Sequence, residues 1–386
     1  MRVAITAAAL LTPFEEIRKP IVIIEDGKIF ALGVQDDLQL PCGIQTLAFP
    51  DAVLAPGFID VHIHGGGGYD VMQAADSPSA LASIEALLAK HGVTAYCPTT
   101  VTASIDQTKK SLAALGKAIR GKPSANGGAT PLGVHLEGPF ISSEKCGVHP
   151  VKDIQKPSAK LFEEFWQASE ASVKVMTIAP ELAGAEELIR DASKRGVRAS
   201  VGHSNANAAA TLSALAAGAS HATHTFNAMR PLDHREPGIL GVVLGEERFT
   251  ADIIADGIHV APEVIKIFLA AKGEDRAILI TDAISATGMP DGRYRLGTFD
   301  VDVSNGKATS SGRLAGSVLT MDRAVRNIME IANFSLRQSV RMATINPARM
   351  LGVGDRKGSL AVGKDADIVV LTPQGNVIKT IVGGHV

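Results

Sequence analysis

Between about residue 55 and residue 282, short runs rich in Val and Ile alternate with Ala-rich stretches of helical length, and nothing else in the 386-residue chain constrains the fold as strongly. Eight such runs end near Val61, Thr99, Leu136, Ile178, Val201, Thr223, Ala255 and Ile280. The intervening stretches include residues 79–91, 104–119, 183–195, 205–218 and 262–271, several of which open at Ser, Asn or Pro and close at Gly, as helix capping requires. Strands without a polar face that alternate with helices belong in a parallel sheet covered on both sides. Eight of them predict an α/β fold of the closed (β/α)8 TIM-barrel type, ahead of an open doubly wound sheet. The run Gly65-Gly66-Gly67-Gly68 gives the open sheet no support, because it lacks the spacing and the following helix start of a dinucleotide loop.

The ends of the chain differ from this middle. Ile21-Val22-Ile23-Ile24, then Glu25-Asp26-Gly27-Lys28-Ile29, predicts a hairpin turning at Asp-Gly. Residues 367–371 and 377–382 repeat that texture, so both termini are expected to build one small β-sandwich domain, residues 1–54 with 352–386, around a barrel of residues 55–351. A net charge of −2, from 38 basic and 40 acidic residues, provides no field for nucleic acid or an anionic membrane. The three scattered cysteines, Cys42, Cys97 and Cys146, do not suggest a disulfide framework. No signal peptide and no apolar run of membrane-spanning length is read, and the cytoplasm is the expected location.

Barrels of this type place their chemistry at the C-terminal ends of the strands. His62 and His64 fall at the first strand end, Glu137 at the third, His203 at the fifth, His224 at the sixth and Asp282 at the eighth. In a strand His62 and His64 face the same way, about 7 Å apart along the chain, a spacing that pinches one cation. His221, three positions before His224, falls on the opposite face of a regular strand and reads as structural. Taken singly, each of these residues has an ordinary reading: a satisfied core histidine, a solvated loop carboxylate at Glu137, a helix N-cap at Asp282. Together at one barrel mouth, the six are a candidate metal site. Nitrogen and oxygen donors without cysteine suit Zn, Fe(II), Co(II) or Mn(II), one or two ions per subunit. Cys97 reads as a small core residue, and Cys146, on the loop after Glu137, is not assigned as a ligand.

Several motifs carry a resemblance. Ala55-Pro56-Gly57-Phe58-Ile59-Asp60-Val61-His62-Ile63-His64-Gly65 resembles the first-strand motif of the amidohydrolase superfamily. His135-Leu136-Glu137-Gly138-Pro139-Phe140, Gly202-His203-Ser204-Asn205-Ala206, His224-Thr225-Phe226-Asn227-Ala228-Met229, Arg235-Glu236-Pro237-Gly238, Asp256-Gly257-Ile258-His259 and Thr281-Asp282-Ala283 are similar, in the same order, to its N-acetylglucosamine-6-phosphate deacetylase family. The resemblance implies hydrolysis of the acetamide of a phosphorylated amino sugar, with Glu137, His203 and His224 holding the principal divalent metal. It implies a second metal at His62 and His64, and Asp282 as catalytic carboxylate beside the metal. His149 would reach the substrate and help polarise the acetyl oxygen. Arg235 is the expected phosphate partner, with His259 and the backbone N–H groups around Asn227 and Ala228 completing the cradle. A homodimer is implied too, Arg235 serving the neighbouring subunit. Two alternatives stand beside this reading. An amidohydrolase acting on a cyclic amide or amidine usually carries a strand-four lysine, but the only one here, Lys174, falls near the strand start. A scaffold without catalysis has no reason to keep six costly polar groups together.

Overall fold

The computed structural model describes residues 2–38, 40, 43–77, 79–121 and 127–386. Eight parallel strands form its centre: β1 (Phe58–Ile63), β2 (Val93–Thr100), β3 (Val134–Glu137), β4 (Val173–Ile178), β5 (Arg198–Val201), β6 (His221–Ala222), β7 (Thr250–Ile254) and β8 (Ala277–Ile280). Each pairs with the next in sequence order. β1, β2, β3 and β8 are buried at every residue, which accounts for their lack of a solvent-facing polar side. The circle closes at its C-terminal rim. There Ile63 and Ala283 form an isolated parallel bridge, Asp282 N donates to His62 O at 2.9 Å, and His64 N donates to Ala283 O at 2.8 Å.

The expected helices appear as Ser79–Lys90, Ile105–Arg120, Ala185–Lys194, Ala208–Ala217 and Pro262–Arg276. Their capping chemistry is local: Ser104 Oγ accepts from Gln107 N, Asn207 Oδ1 accepts from Ala210 N, and Gly218 ends its helix at φ 116°. Their apolar faces merge with the barrel strands in one large core, where Ile84, Leu112, Leu188 and Phe268 meet Tyr96, Met176 and Ile253.

Strands from both termini share a seven-stranded mixed sheet, running Val377–Ile381, Ile368–Leu371, Gln45–Pro56, Arg2–Leu11, Pro20–Glu25, Lys28–Val34, with Glu16–Arg18 on the side of Arg2–Leu11. The sheet is apolar on both faces, one carrying Ile5, Val22, Ile24 and Val370, the other Ala4, Ile21 and Ile23. The predicted hairpin turns at Asp26 and Gly27, both at positive φ (49° and 78°), the conformation a two-residue turn between twisted strands requires.

A further antiparallel sheet of four strands, Gly292–Leu296, Phe299–Ser304, Lys307–Ser310 and Arg313–Leu314, follows β8 and was not expected. It places Leu314 at the barrel mouth. Cys97 and Cys146 are buried and unpaired, and Cys42 lies outside the described residues. Among the described residues, no helix is long and apolar enough to cross a membrane.

Candidate metal centre and active site

All six strand-end residues converge at the C-terminal rim around the carboxylate of Glu137. Its Oε1 lies 3.4 Å from His62 Nε2, 3.2 Å from His203 Nε2 and 3.0 Å from His224 Nε2. Its Oε2 lies 3.2 Å from His64 Nε2 and 3.4 Å from His149 Nε2. Asp282 Oδ1 stands 3.1 Å from His64 Nε2 and 3.5 Å from His62 Nε2. The group borders a cavity of about 200 Å³, also lined by Asn227, Ala228, His259 and Leu314. A larger cleft of about 460 Å³ lies between the terminal strands and residues 335–337, but no imidazole lines it.

Three of these residues hold backbone conformations that L-residues rarely adopt: His203, His224 and Asp282 have φ of 46°, 31° and 50°. Each costs on the order of 1–2 kcal/mol, strain that persists only where surroundings enforce it. The surroundings are polar clamps. His224 N donates to the buried Asp252 carboxylate, which also accepts from His221 Nε2 at 3.0 Å. His203 O accepts from Ser142 N at 2.9 Å. Asp60 accepts from His62 N at 3.3 Å, Thr281 N at 3.3 Å and Thr281 Oγ1 at 2.5 Å, stitching β1 to β8 beneath the site. His221 contacts Thr250 and Asp252 rather than the convergent donors, but its strand ends at Ala222, so the expected alternation does not extend to His224. Asp60 and Asp252 were not singled out in the sequence: their carboxylates face backbone amides, and no motif announces that.

The charges fit a cation. His64 Nδ1 meets Thr99 O at 3.0 Å, and His203 Nδ1 meets Lys145 O at 2.9 Å. A carbonyl only accepts, so both rings carry a proton on Nδ1 and turn Nε2, the nitrogen left to ligate a cation, toward the centre. Yet His203 Nε2 faces His224 Nε2 at 3.0 Å, and His62 Nε2 faces His64 Nε2 at 3.2 Å. Ring nitrogens converging on one another and on a carboxylate are the donor arrangement that a divalent cation completes by displacing their protons.

Among themselves, the side chains hold protons where a cation would bind. Burial lowers His203 to about 4, outweighing the hydrogen bond to Glu137. Burial also acts to lower His224, but Glu137 overcomes it and holds that ring at about 9. Burial would raise both carboxyls. The charge on His62 and hydrogen bonds from His149 and His224 instead hold Glu137 well below its ordinary value, and His62 and His64 hold Asp282 at about 2. Both acids are thus ionised at neutral pH, as ligands and bases must be.

The expected substrate contacts divide. His149, on the loop after β3, enters the site, its Nδ1 held by Thr102 N at 3.2 Å and Thr102 Oγ1 at 2.8 Å. His259 lines the cavity, its Nδ1 2.7 Å from Asp256 Oδ2. Arg235 does not reach this cavity. It is exposed on a turn where Asp233 Oδ1 accepts from the backbone N of Arg235 and Glu236. Cys146 is buried beside the site with its Sγ 3.9 Å from Gly147 O, not among the convergent donors.

Known proteins resemble this chain along nearly its whole length. The amidohydrolase family profile matches residues 53–386. The N-acetylglucosamine-6-phosphate deacetylase of Bacillus subtilis (strain 168) is 39% identical over 379 residues, covering 98% of this chain and 95% of that protein. The N-acetylgalactosamine-6-phosphate deacetylase of Escherichia coli O157:H7 is 39% identical over 350 residues, covering 90% of this chain and 89% of that one. Among solved structures, a mutant N-acetyl-D-glucosamine-6-phosphate deacetylase from Mycobacterium smegmatis, in complex with N-acetyl-D-glucosamine-6-phosphate, superposes with a TM-score of 0.91 at 35% identity, covering 99% of this chain and 98% of that one. The chain belongs to the amidohydrolase family, in its N-acetylglucosamine-6-phosphate deacetylase branch.

Proposed function

We propose that this protein hydrolyses the acetamide of N-acetylglucosamine-6-phosphate to glucosamine-6-phosphate and acetate. The observation that carries the reading is Glu137 set between two pairs of imidazoles, with the ionised Asp282 facing the same cavity. Glu137, His203 and His224 would hold one divalent cation, and His62 with His64 a second that shares Glu137. Such a cation supplies Lewis acidity and brings the pKa of a water down to about 7. Asp282 takes the proton of the attacking water and delivers it to the amide nitrogen as the C–N bond breaks, because an amine leaves poorly unless protonated. His149 faces the acetyl oxygen and stabilises the charge that develops there.

His259, oriented by Asp256, and the N–H groups around Asn227 and Ala228 receive the phosphorylated end of the sugar. Arg235 is exposed and does not line its own cavity, and in a homodimer it would close the phosphate cradle of the partner's site, where a guanidinium pairs bidentately with phosphate oxygens. Setting Arg235 to Ala should then raise KM for phosphorylated substrate with little change for the unphosphorylated sugar; an unchanged KM removes Arg235 from the cradle.

The test of the whole reading is acetate release from N-acetylglucosamine-6-phosphate, its galacto epimer and unphosphorylated N-acetylglucosamine, before and after chelation. Metal-dependent release strongly favouring a phosphorylated sugar supports it, and the two phosphorylated sugars rank the epimers. Equal rates with and without phosphate keep the deacetylase and discard the cradle. No release from a metal-loaded enzyme overturns the reading in favour of a cyclic-amide hydrolase.

A further inference from the structure

We infer that Thr102 is a positioning residue that fixes the tautomer of His149, keeping its proton on Nε2 where it faces the cavity. The inference rests on the deacetylase reading for its kinetic consequence, but not for its geometry. Thr102 is buried just beyond β2, and its backbone N lies 3.2 Å from His149 Nδ1. A backbone N–H only donates, so Nδ1 must present a lone pair to it, and the single proton of a neutral imidazole then resides on Nε2. The Thr102 hydroxyl, 2.8 Å from the same nitrogen, donates as well.

Three residues earlier the same stretch of chain does the opposite. Thr99 O takes the Nδ1 proton of His64 at 3.0 Å and leaves Nε2 as the nitrogen available to ligate a metal. One short segment thus sorts two neighbouring imidazoles by the polarity of its own backbone: a carbonyl makes a metal ligand, an N–H makes a hydrogen-bond donor. The distinction matters because position alone does not make it. His149, Glu137 and His203 have donor atoms close enough together to share one ion. With its proton on Nε2, His149 has no lone pair to offer there, and Glu137 at 3.4 Å or an incoming carbonyl oxygen becomes its partner.

The packing shows why the segment cannot drift. Gly138 follows Glu137 at φ 74°, and a Cβ there would stand 2.0 Å from Thr102 Oγ1. Thr102 is therefore wedged between the turn that presents Glu137 and the ring of His149, which fixes both against a common support.

Two measurements test this. In the metal-loaded protein with ¹⁵N-labelled histidine, and the His149 signals identified by their loss in His149→Gln, the structure requires an unprotonated Nδ1 and a protonated Nε2. A proton on Nδ1 overturns the inference whatever the enzyme hydrolyses. Kinetically, Thr102→Val should lower kcat about tenfold, the scale of one net hydrogen bond. KM, metal content and Tm should hold, and Thr102→Ser should restore the rate. In the His149→Gln background, Thr102→Val should cost nothing more. A full additional loss in that background, or a fall in metal content or Tm that accounts for the lost rate, refutes the positioning role. The expected tautomer in a wild type that releases no acetate from any acetylated hexosamine phosphate would sink the deacetylase reading alone.

Discussion

Asp282 and Glu137 sit a few ångströms apart among the same imidazoles, yet the surrounding contacts give them different work. Glu137 is almost fully buried and touched by five rings, so its oxygens are committed. Asp282 is touched by two and keeps a face toward the cavity. Replacing Asp282 by Asn should therefore leave metal content near wild type while kcat falls by roughly 10² or more, the contribution of a positioned general acid–base. Elemental analysis beside acetate release checks it, and retained turnover would remove Asp282 from the proton path. The complementary change, His62→Ala with His64→Ala, should halve a two-ion stoichiometry. Loss of all metal would show that the two pairs form a single site. These residues were legible in the sequence because imidazoles and carboxylates at the ends of apolar runs stand out. Their supports were not. Asp60, Asp252 and Thr102 act through backbone amides and ring nitrogens far away in sequence, and only the closed barrel brings those partners within reach.

A helix and the strand it covers can share a buried acid. Glu85 of the helix Ser79–Lys90 is buried and meets Tyr96 Oη of β2 at 3.3 Å. Burial pushes its carboxyl up to about 7, against the opposing pull of that hydrogen bond. The native state consequently holds a proton that the unfolded chain loses near 4.5, the ordinary value. Between those two values the folded state binds more protons, so stability falls as pH rises from about 4.5 to about 7 and then levels. Glu85→Gln should abolish this part of the slope and raise Tm above pH 7. Thermal melts at pH 4.5 and 8 decide it, and parallel pH profiles for the two proteins would refute it. At this scale the barrel itself was readable: all eight observed strand ends fall within two residues of the expected ones. Strands buried on both faces leave an apolar run that no loop imitates. The four-stranded sheet after β8 escaped because its strands are only half buried. Phe299–Ser304 buries alternate residues and exposes the charged ones between, so it reads as a polar connection.

The two ends of the chain meet the start of the barrel at a buried ion pair. Lys357, almost fully buried, contacts Asp367 and also lies 3.0 Å from Asp365 Oδ2. Asp365 Oδ1 accepts from Lys28 Nζ of the N-terminal hairpin at 2.6 Å. Asp367 Oδ1 accepts from Gly383 N near the C-terminus, while Asp367 O accepts from Gly57 N at the entrance to β1. Three distant stretches of sequence are thereby fastened where the terminal sheet joins the barrel. The Lys28 side of its contact is half exposed, and the pair contributes little, on the order of 0–1 kcal/mol. The Lys357–Asp367 pair is different, because removing one partner strands a charge out of water. Lys357→Met should destabilise the fold by about 3–5 kcal/mol. Asp367→Leu alone should cost more than loss of the ion pair, since Gly383 N loses its acceptor too. Combining the two should recover much of the damage, because an apolar pair of similar size escapes the desolvation that the ions suffer. Denaturant unfolding of the two single variants and the double variant makes the cycle. Additive losses would mean that the junction holds through packing and backbone bonds, with the ion pair a bystander. Strong non-additivity would place the coupling of both termini to the barrel on this one buried contact.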